Sequence, residues 1–289
     1  MRVGFIGSGK VATAFGLYLK DKNQTISGYY SRTPSSAILA AKYVQTETFQ
    51  TLEALVIQSD WIGITVSDDQ IEVVAEALST VQIDTPKVFF HMSGAKSSKC
   101  LYPLRVRGHQ CLSIHPLQTI SEAVQGKELL GRCLYTIEGD ESAEIEQFLK
   151  SLDRPIVRIT ADQKPYYHAA ACMASNYLYT LTHEAMALMK LAGFSEDISF
   201  EALRPLMEGT LENLKTLSPQ KALTGPIARG DVQTISEHIS VLKDQTALLR
   251  VYKQMGLATL QLASLDKLKD SKTIEELETI LQVEEESIK

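Results

Sequence analysis

From Val3 to Ile159 the chain alternates short, almost wholly apolar runs with stretches of helical periodicity, and this alternation restricts the fold more than any other feature. Val3–Ile6, Ile26–Tyr30, Trp61–Val66, Val88–His91 and Cys111–Ile114 read as strands buried on both faces, as in a parallel sheet. Val11–Leu19, Ser36–Tyr43, Thr51–Gln58 and Gln70–Ser79 read as the intervening helices. Strands separated by helices are βαβ units, and a run of them is a doubly wound parallel sheet. Leu134–Ile137 and Ile156–Ile159 add two more strands, flanking a helix from Glu141 to Leu152.

After Thr160 the strand-like runs stop. Helical patterns cover Pro165–Leu191 (the longest), Ser199–Leu217, Val232–Gly256 and Thr273–Ser287, the last with an acidic tail from Glu278 to Glu286 that reads as a solvated face. The change divides the chain into two domains, residues 1–162 and an all-α domain over residues 163–289, a division that suits a 289-residue length. A 44% hydrophobic content supplies two cores, and a net charge of -6 argues against nucleic acid as a partner. No apolar run approaches the ~18 residues of a membrane helix, and the N-terminus enters a strand directly, so the expectation is a soluble cytoplasmic protein without a membrane partner. Cys100, Cys111, Cys133 and Cys172 are scattered, which suits free thiols; no metal is expected, since His183-Glu184 lacks the second His of a zinc motif.

Between the first strand and the first helix stands Gly7-Ser8-Gly9-Lys10-Val11-Ala12, a G-x-G-x-x-A turn. Gly7 permits the tight turn, Gly9 lets the backbone approach a pyrophosphate, and Ala12 allows close helix–strand packing. The free N–H groups of the helix start face the phosphates. The end of the second strand selects between the two nicotinamide cofactors. An NAD site carries a carboxylate there for the ribose 2′-OH, whereas this chain has Ser31-Arg32-Thr33. A guanidinium between two hydroxyls suits the 2′-phosphate of NADP. The loops Val66-Ser67-Asp68-Asp69 and His91-Met92-Ser93-Gly94 end strands at the same carboxyl edge, so Val66, Ser67, Asp68, Ser93 and Gly94 join the cofactor-binding set, although helix capping alone would also explain them.

Hydride transfer needs a proton donor beside the carbonyl or imine bond. His115, at a strand end before Pro116, is the first candidate. Lys164 and His168, four apart, share a helix face, and Asn176 lies about 80° from His168 if the helix is continuous. Between two later helices, Thr224-Gly225-Pro226 leads to Arg229, which suits a substrate carboxylate, and Asp231 reads as a helix N-cap.

Together with Ile114-His115-Pro116-Leu117, Tyr167-His168-Ala169-Ala170, Ser175-Asn176 and Arg229-Gly230-Asp231, these segments resemble the Rossmann-like proteins with a C-terminal helical domain of unknown function. That group is similar to pyrroline-5-carboxylate reductase and ketopantoate reductase. The resemblance implies a Rossmann sheet followed by an all-α domain in a 6-phosphogluconate-dehydrogenase-like arrangement, an NADP-dependent oxidoreductase activity on a small-molecule substrate, and a homodimer formed through the helical domain. Related reductases commonly carry Pro where this chain has Ser67, and some β-hydroxyacid dehydrogenases pair Lys with Asn where this chain has Lys164 and His168. A protein that binds NADP as a sensor or scaffold without turnover is the alternative.

Overall fold

The structure, a computed structural model, describes residues 1–282. Its first part is β1 (Arg2–Ile6), α1 (Lys10–Asp21), β2 (Thr25–Tyr30), α2 (Pro34–Val44), β3 (Glu47–Thr48), α3 (Leu52–Ile57), β4 (Trp61–Ile64), α4 (Ile71–Ser79), β5 (Val88–His91), α5 (Tyr102–Arg105), β6 (Gln110–Pro116), α6 (Ala123–Leu130), β7 (Tyr135–Gly139), α7 (Ala143–Ser151) and β8 (Ile156–Arg158). The strands form one sheet in the order β3-β2-β1-β4-β5-β6-β7-β8. The chain starts in the middle, winds outward to β3, then returns beside β1 and winds the other way. That reversal between β1 and β4 opens a crevice at the carboxyl edge.

Apolar residues on both strand faces make two cores. Phe5, Phe15, Tyr29, Trp61, Phe90 and Tyr135 fill one face, and Ile6, Ile62, Ile64, Phe89 and Leu101 fill the other. The expected parallel pairing holds except at β6–β7, which is antiparallel. Periodicity reports burial but not strand direction, so the sequence carried no sign of this reversal. Helix α6 and the two-residue β3 likewise escaped the hydrophobic pattern.

The helical part consists of α8 (Lys164–Ala174), α9 (Asn176–Leu191), α10 (Glu196–Asn213), α11 (Pro219–Ala222), α12 (Pro226–Arg229), α13 (Val232–Leu242), α14 (Thr246–Asp266) and α15 (Ser271–Leu281). Two expected helices are broken. Pro165–Leu191 is interrupted at Ser175 (φ -121°, ψ -66°), where Ser and Asn side chains compete weakly for helical backbone. Val232–Gly256 breaks before Gln245 (φ -111°, ψ 63°), so the 21-residue α14 is the longest helix described. The helix expected over Ser199–Leu217 starts earlier, behind Ser195, and stops at Asn213. Asp270 accepts from the Thr273 N–H and starts α15 two residues early; the expectation beyond Gln282 lies outside the described residues.

Two compact units result, Met1–Tyr177 and one beginning at Leu178. The second has its own core, with Ile227, Ile235, Leu260, Ala263, Leu277 and Leu281 buried. The strand-to-helix change thus precedes the seam between units, because α8 packs on the sheet through Lys164 and Tyr167.

Candidate active site at the carboxyl edge of the sheet

At the ends of β1, β2 and β4 lies a cleft of about 440 Å³ lined by Gly7, Ser8, Gly9, Arg32, Val66 and Ser67 among others. Gly7 adopts φ +99°, and its N–H donates to the Tyr30 carbonyl at 2.8 Å. A Cβ on Gly7 would stand 2.6 Å from the Thr65 carbonyl oxygen, so no other residue fits without moving β4. A Cβ on Gly9 would meet nothing within 4 Å; here the missing side chain leaves open space above the turn. Helix α1 begins at Lys10 with no side-chain cap and no acidic residue in its first turn, which leaves the N–H groups there for a ligand. The Ser8 hydroxyl is buried and has no hydrogen-bond partner among the described residues. An orphan donor, an uncapped helix start and an open glycine face all fit a pyrophosphate.

The end of β2 carries no carboxylate. Asp21 is held by Lys127 at 2.9 Å, at the far end of α1. Ser31 accepts from the Thr33 N–H at 3.2 Å and shapes the turn, and Thr33 precedes α2. Arg32 is exposed, with no hydrogen bond or ion pair among the described residues. Hydrogen bonds from Ser67 and Gln70, with the Arg32 charge adding, hold the exposed Asp69 carboxyl below the usual range. Asp68 accepts from the Ser93 hydroxyl at 2.7 Å, joining the loops after β4 and β5. Ser93 also accepts from the N–H groups of Ala95 and Lys96, so it is a turn cap as well.

Farther along the same edge, β5, β6 and α8 bring a second group together. Lys164, only 1% exposed, donates to the Ser113 hydroxyl at 2.7 Å and the Ser93 carbonyl at 3.2 Å. Nδ1 of His115 and the Tyr167 hydroxyl share a hydrogen bond of 2.6 Å. The His115 and His168 rings stand nearly perpendicular with centroids 6.5 Å apart. A Cβ on Gly94 would lie 2.8 Å from both His115 Nε2 and His168 Nδ1, so only glycine lets both rings approach this loop. His168 Nδ1 is buried without a hydrogen-bond partner among the described residues, and Nε2 lies 3.7 Å from Cys172 Sγ.

Burial, reinforced by the Lys164 ammonium and by His168, drives the His115 pKa down to about 4. Burial also lowers that of Lys164. His91, whose Nδ1 accepts from the Ser93 N–H at 3.2 Å, is pushed to about 3 by burial and then by Lys164. At neutral pH the two histidines are uncharged.

Of the residues singled out by sequence, the structure gathers His115, His168, Lys164, Ser93 and Gly94. Asn176 lies beyond the break at Ser175 and is exposed, so its continuous-helix spacing from His168 does not hold. Thr224 and Arg229 belong to the second unit. There Thr224 lines a cavity of about 380 Å³ with Leu188, Ile227 and Tyr252, while Arg229 is exposed at the end of α12. Asp231 caps α13 as expected, accepting from the Thr234 N–H at 3.1 Å. His238, which carried no expected role, bonds the Tyr252 hydroxyl at 2.7 Å in the same cavity wall. Sequence reasoning did not select Tyr167 or Ser113. Ser113 was findable, since it lies two residues before His115 and therefore on the same strand face. Among the described residues no cluster of His, Cys, Asp and Glu fits a metal ion, and no helix is long and apolar enough to cross a membrane.

Among known proteins, a Rossmann-like domain model matches residues 1–116, and the domain of unknown function DUF2520 matches residues 133–259. No curated protein matches the chain. Solved structures share the fold at low identity. A Bacteroides fragilis protein provisionally described as an NADP oxidoreductase is 23% identical over 90% of this chain and 98% of its own, with TM-score 0.73. A 1-pyrroline-5-carboxylate reductase from Streptococcus pyogenes is 18% identical over 96% and 98%, with TM-score 0.64. A reductive aminase from Aspergillus terreus, solved with NADPH and ethyl-5-oxohexanoate, is 14% identical over 97% and 92%, with TM-score 0.59. Two domain models thus follow one another along the chain, Rossmann-like over residues 1–116 and DUF2520 over residues 133–259, and the solved structures share its fold.

Proposed function

We propose that the chain is an NADP-dependent oxidoreductase acting on a small carbonyl or imine substrate that bears a carboxylate. The observation that carries this reading is the placement, in one compact unit and at one sheet edge, of an uncapped glycine cradle and a buried cluster of paired histidines. The names of similar structures point the same way, since they include NADP oxidoreductases. Bound NADP(H) would supply or accept the hydride.

The residues of this chain do the rest. Gly7, Ser8, Gly9, Lys10, Val11 and Ala12 hold the phosphates; Ser31, Arg32 and Thr33 take the 2′-phosphate; Val66, Ser67, Asp68, Ser93 and Gly94 flank the nicotinamide end. His115 and His168 contact the reacting oxygen or nitrogen, while Lys164 fixes the loops after β5 and β6 that carry Ser93 and Ser113. Asn176 is a further catalytic candidate, and in the second unit Thr224 and Arg229 are the substrate-binding candidates, Arg229 for a carboxylate. Four free thiols suit a reducing cytoplasm.

Calorimetric titration with NADPH and NADH tests the cofactor. The Arg32 guanidinium makes a charge-assisted contact of roughly 1.5–3 kcal/mol with the 2′-phosphate, about ten- to a hundredfold in affinity. Wild type binds NADPH at least tenfold tighter than NADH, and Arg32→Ala removes the difference. If neither cofactor binds, the proposal is wrong; if NADPH binds but no substrate in a broad carbonyl and imine panel is reduced, the chain is an NADP sensor or scaffold.

The active form is a homodimer through the helical domain. Helix α9 has no buried side chain and α10 buries only Ser199, leaving Tyr179, Leu181, Leu206 (69% exposed) and Leu211 in water. A lone soluble chain seldom exposes this much apolar helix surface. Light scattering returns twice the chain mass, and Leu206→Glu shifts it toward one; a wild-type monomer at micromolar concentration would refute the dimer.

A further inference from the structure

We infer that Tyr167 is a positioning residue that donates its phenol proton to Nδ1 of His115, fixing the neutral tautomer whose Nε2–H faces the loop at Gly94. The juxtaposition is the 2.6 Å contact between the phenol oxygen and Nδ1, with the rings at 84°. The direction of the bond follows from chemistry. A phenol O–H is a far stronger acid than a neutral imidazole N–H, and an imidazole nitrogen is a far better acceptor than a phenol oxygen. Burial raises the Tyr167 pKa, so the phenol keeps its proton at neutral pH.

The surroundings keep His115 uncharged and therefore in need of a fixed tautomer. Lys164 and His168 on α8 both oppose a positive charge on it, and His91 at the end of β5 lies close enough to feel it. On the third side, the Thr136 hydroxyl of β7 donates to the His115 carbonyl at 3.5 Å and also reaches the Tyr167 phenol. With Nδ1 occupied, the one proton of the ring sits on Nε2, which comes within 2.8 Å of where a Gly94 Cβ would be.

The inference rests on this edge being the substrate site, and it narrows that reading. A fixed donor suits a carbonyl oxygen, which has lone pairs to accept the bond. It does not suit an iminium nitrogen, which has none.

Nitrogen NMR of the histidine rings in the ¹⁵N-labelled full chain tests the tautomer without cofactor or turnover, His115 being assigned by its loss in His115→Gln. At pH 7 wild-type His115 shows a pyridine-type Nδ1 and a pyrrole-type Nε2. In Tyr167→Phe, loss of a hydrogen bond made to the neutral ring raises the proton affinity of His115 about tenfold. A pyrrole-type Nδ1 in wild type overturns the inference, with no need of the variant. So does a fall in proton affinity in Tyr167→Phe, which would mean that the phenol had been accepting. The two proposals fail separately: the right tautomer with no NADPH binding sinks the oxidoreductase, and turnover with the wrong tautomer sinks only the role of Tyr167.

Discussion

Replacing His115 with Phe and His168 with Leu, one at a time, is expected to lower turnover by about 10²–10⁴ while leaving NADPH affinity within about twofold of wild type. The split follows from geometry. Both rings face Gly94, whereas the phosphate cradle at Gly7–Gly9 lines a separate cleft. Neither imidazole lines that cleft, so its affinity is untouched. The two variants differ in what they remove. His115 has its Nδ1 bonded to Tyr167 and is uncharged at neutral pH, so in the proposed reaction its part is a hydrogen bond to the reacting oxygen. His168 has a buried Nδ1 with no hydrogen-bond partner among the described residues, so the proposed reaction gives it a direct contact with substrate. Steady-state kinetics on a substrate returned by an NADPH-oxidation screen, with calorimetry alongside, makes the measurement. Normal turnover in both variants would remove the histidines from the mechanism.

The second large effect is on stability. His91 and His115 have folded-state pKa values of about 3 and about 4, against about 6.5 in an unfolded chain. Between these values the unfolded chain binds more protons than the folded one, so acid favours unfolding. The stabilisation is complete above about pH 7 and is lost as pH falls from about 6.5 toward 4. Each ring contributes a slope approaching 1.4 kcal/mol per pH unit, or about 2.4 kcal/mol for the two together over the unit below pH 6. The capping carboxylates Asp231 and Asp270 are held below their ordinary pKa of 3.8, so their loss comes later, in stronger acid. Urea unfolding at pH 7.5, 6 and 5 resolves the histidine window, and His115→Phe halves the slope. A flat profile from pH 7.5 to 5 would mean that neither ring is buried uncharged.

The β-rich unit was legible in the sequence because burial on both faces writes itself as unbroken apolar runs, and because a glycine forced to φ +99° tolerates no substitute. The cluster at the edge was only half legible. His115, Lys164 and His168 stand out as polar groups in apolar surroundings, but their partners come from distant segments: Lys164 meets Ser113 across 51 residues and Ser93 across 71. Such pairings depend on the order of strands in the sheet, which no local pattern encodes. The break at Ser175 was hidden for another reason. Ser and Asn are mediocre helix formers but not breakers, and whether a helix yields at them depends on what its two halves pack against.

The boundary between compact units decides which of these residues are encoded together. The seam between compact units falls after Tyr177, nine residues beyond His168, and not where strands give way to helices. Every titratable group of the edge cluster therefore shares one compact unit with the glycine cradle. Thr224 and Arg229 lie in the other unit, so the residues proposed to meet substrate are encoded apart from the edge cluster.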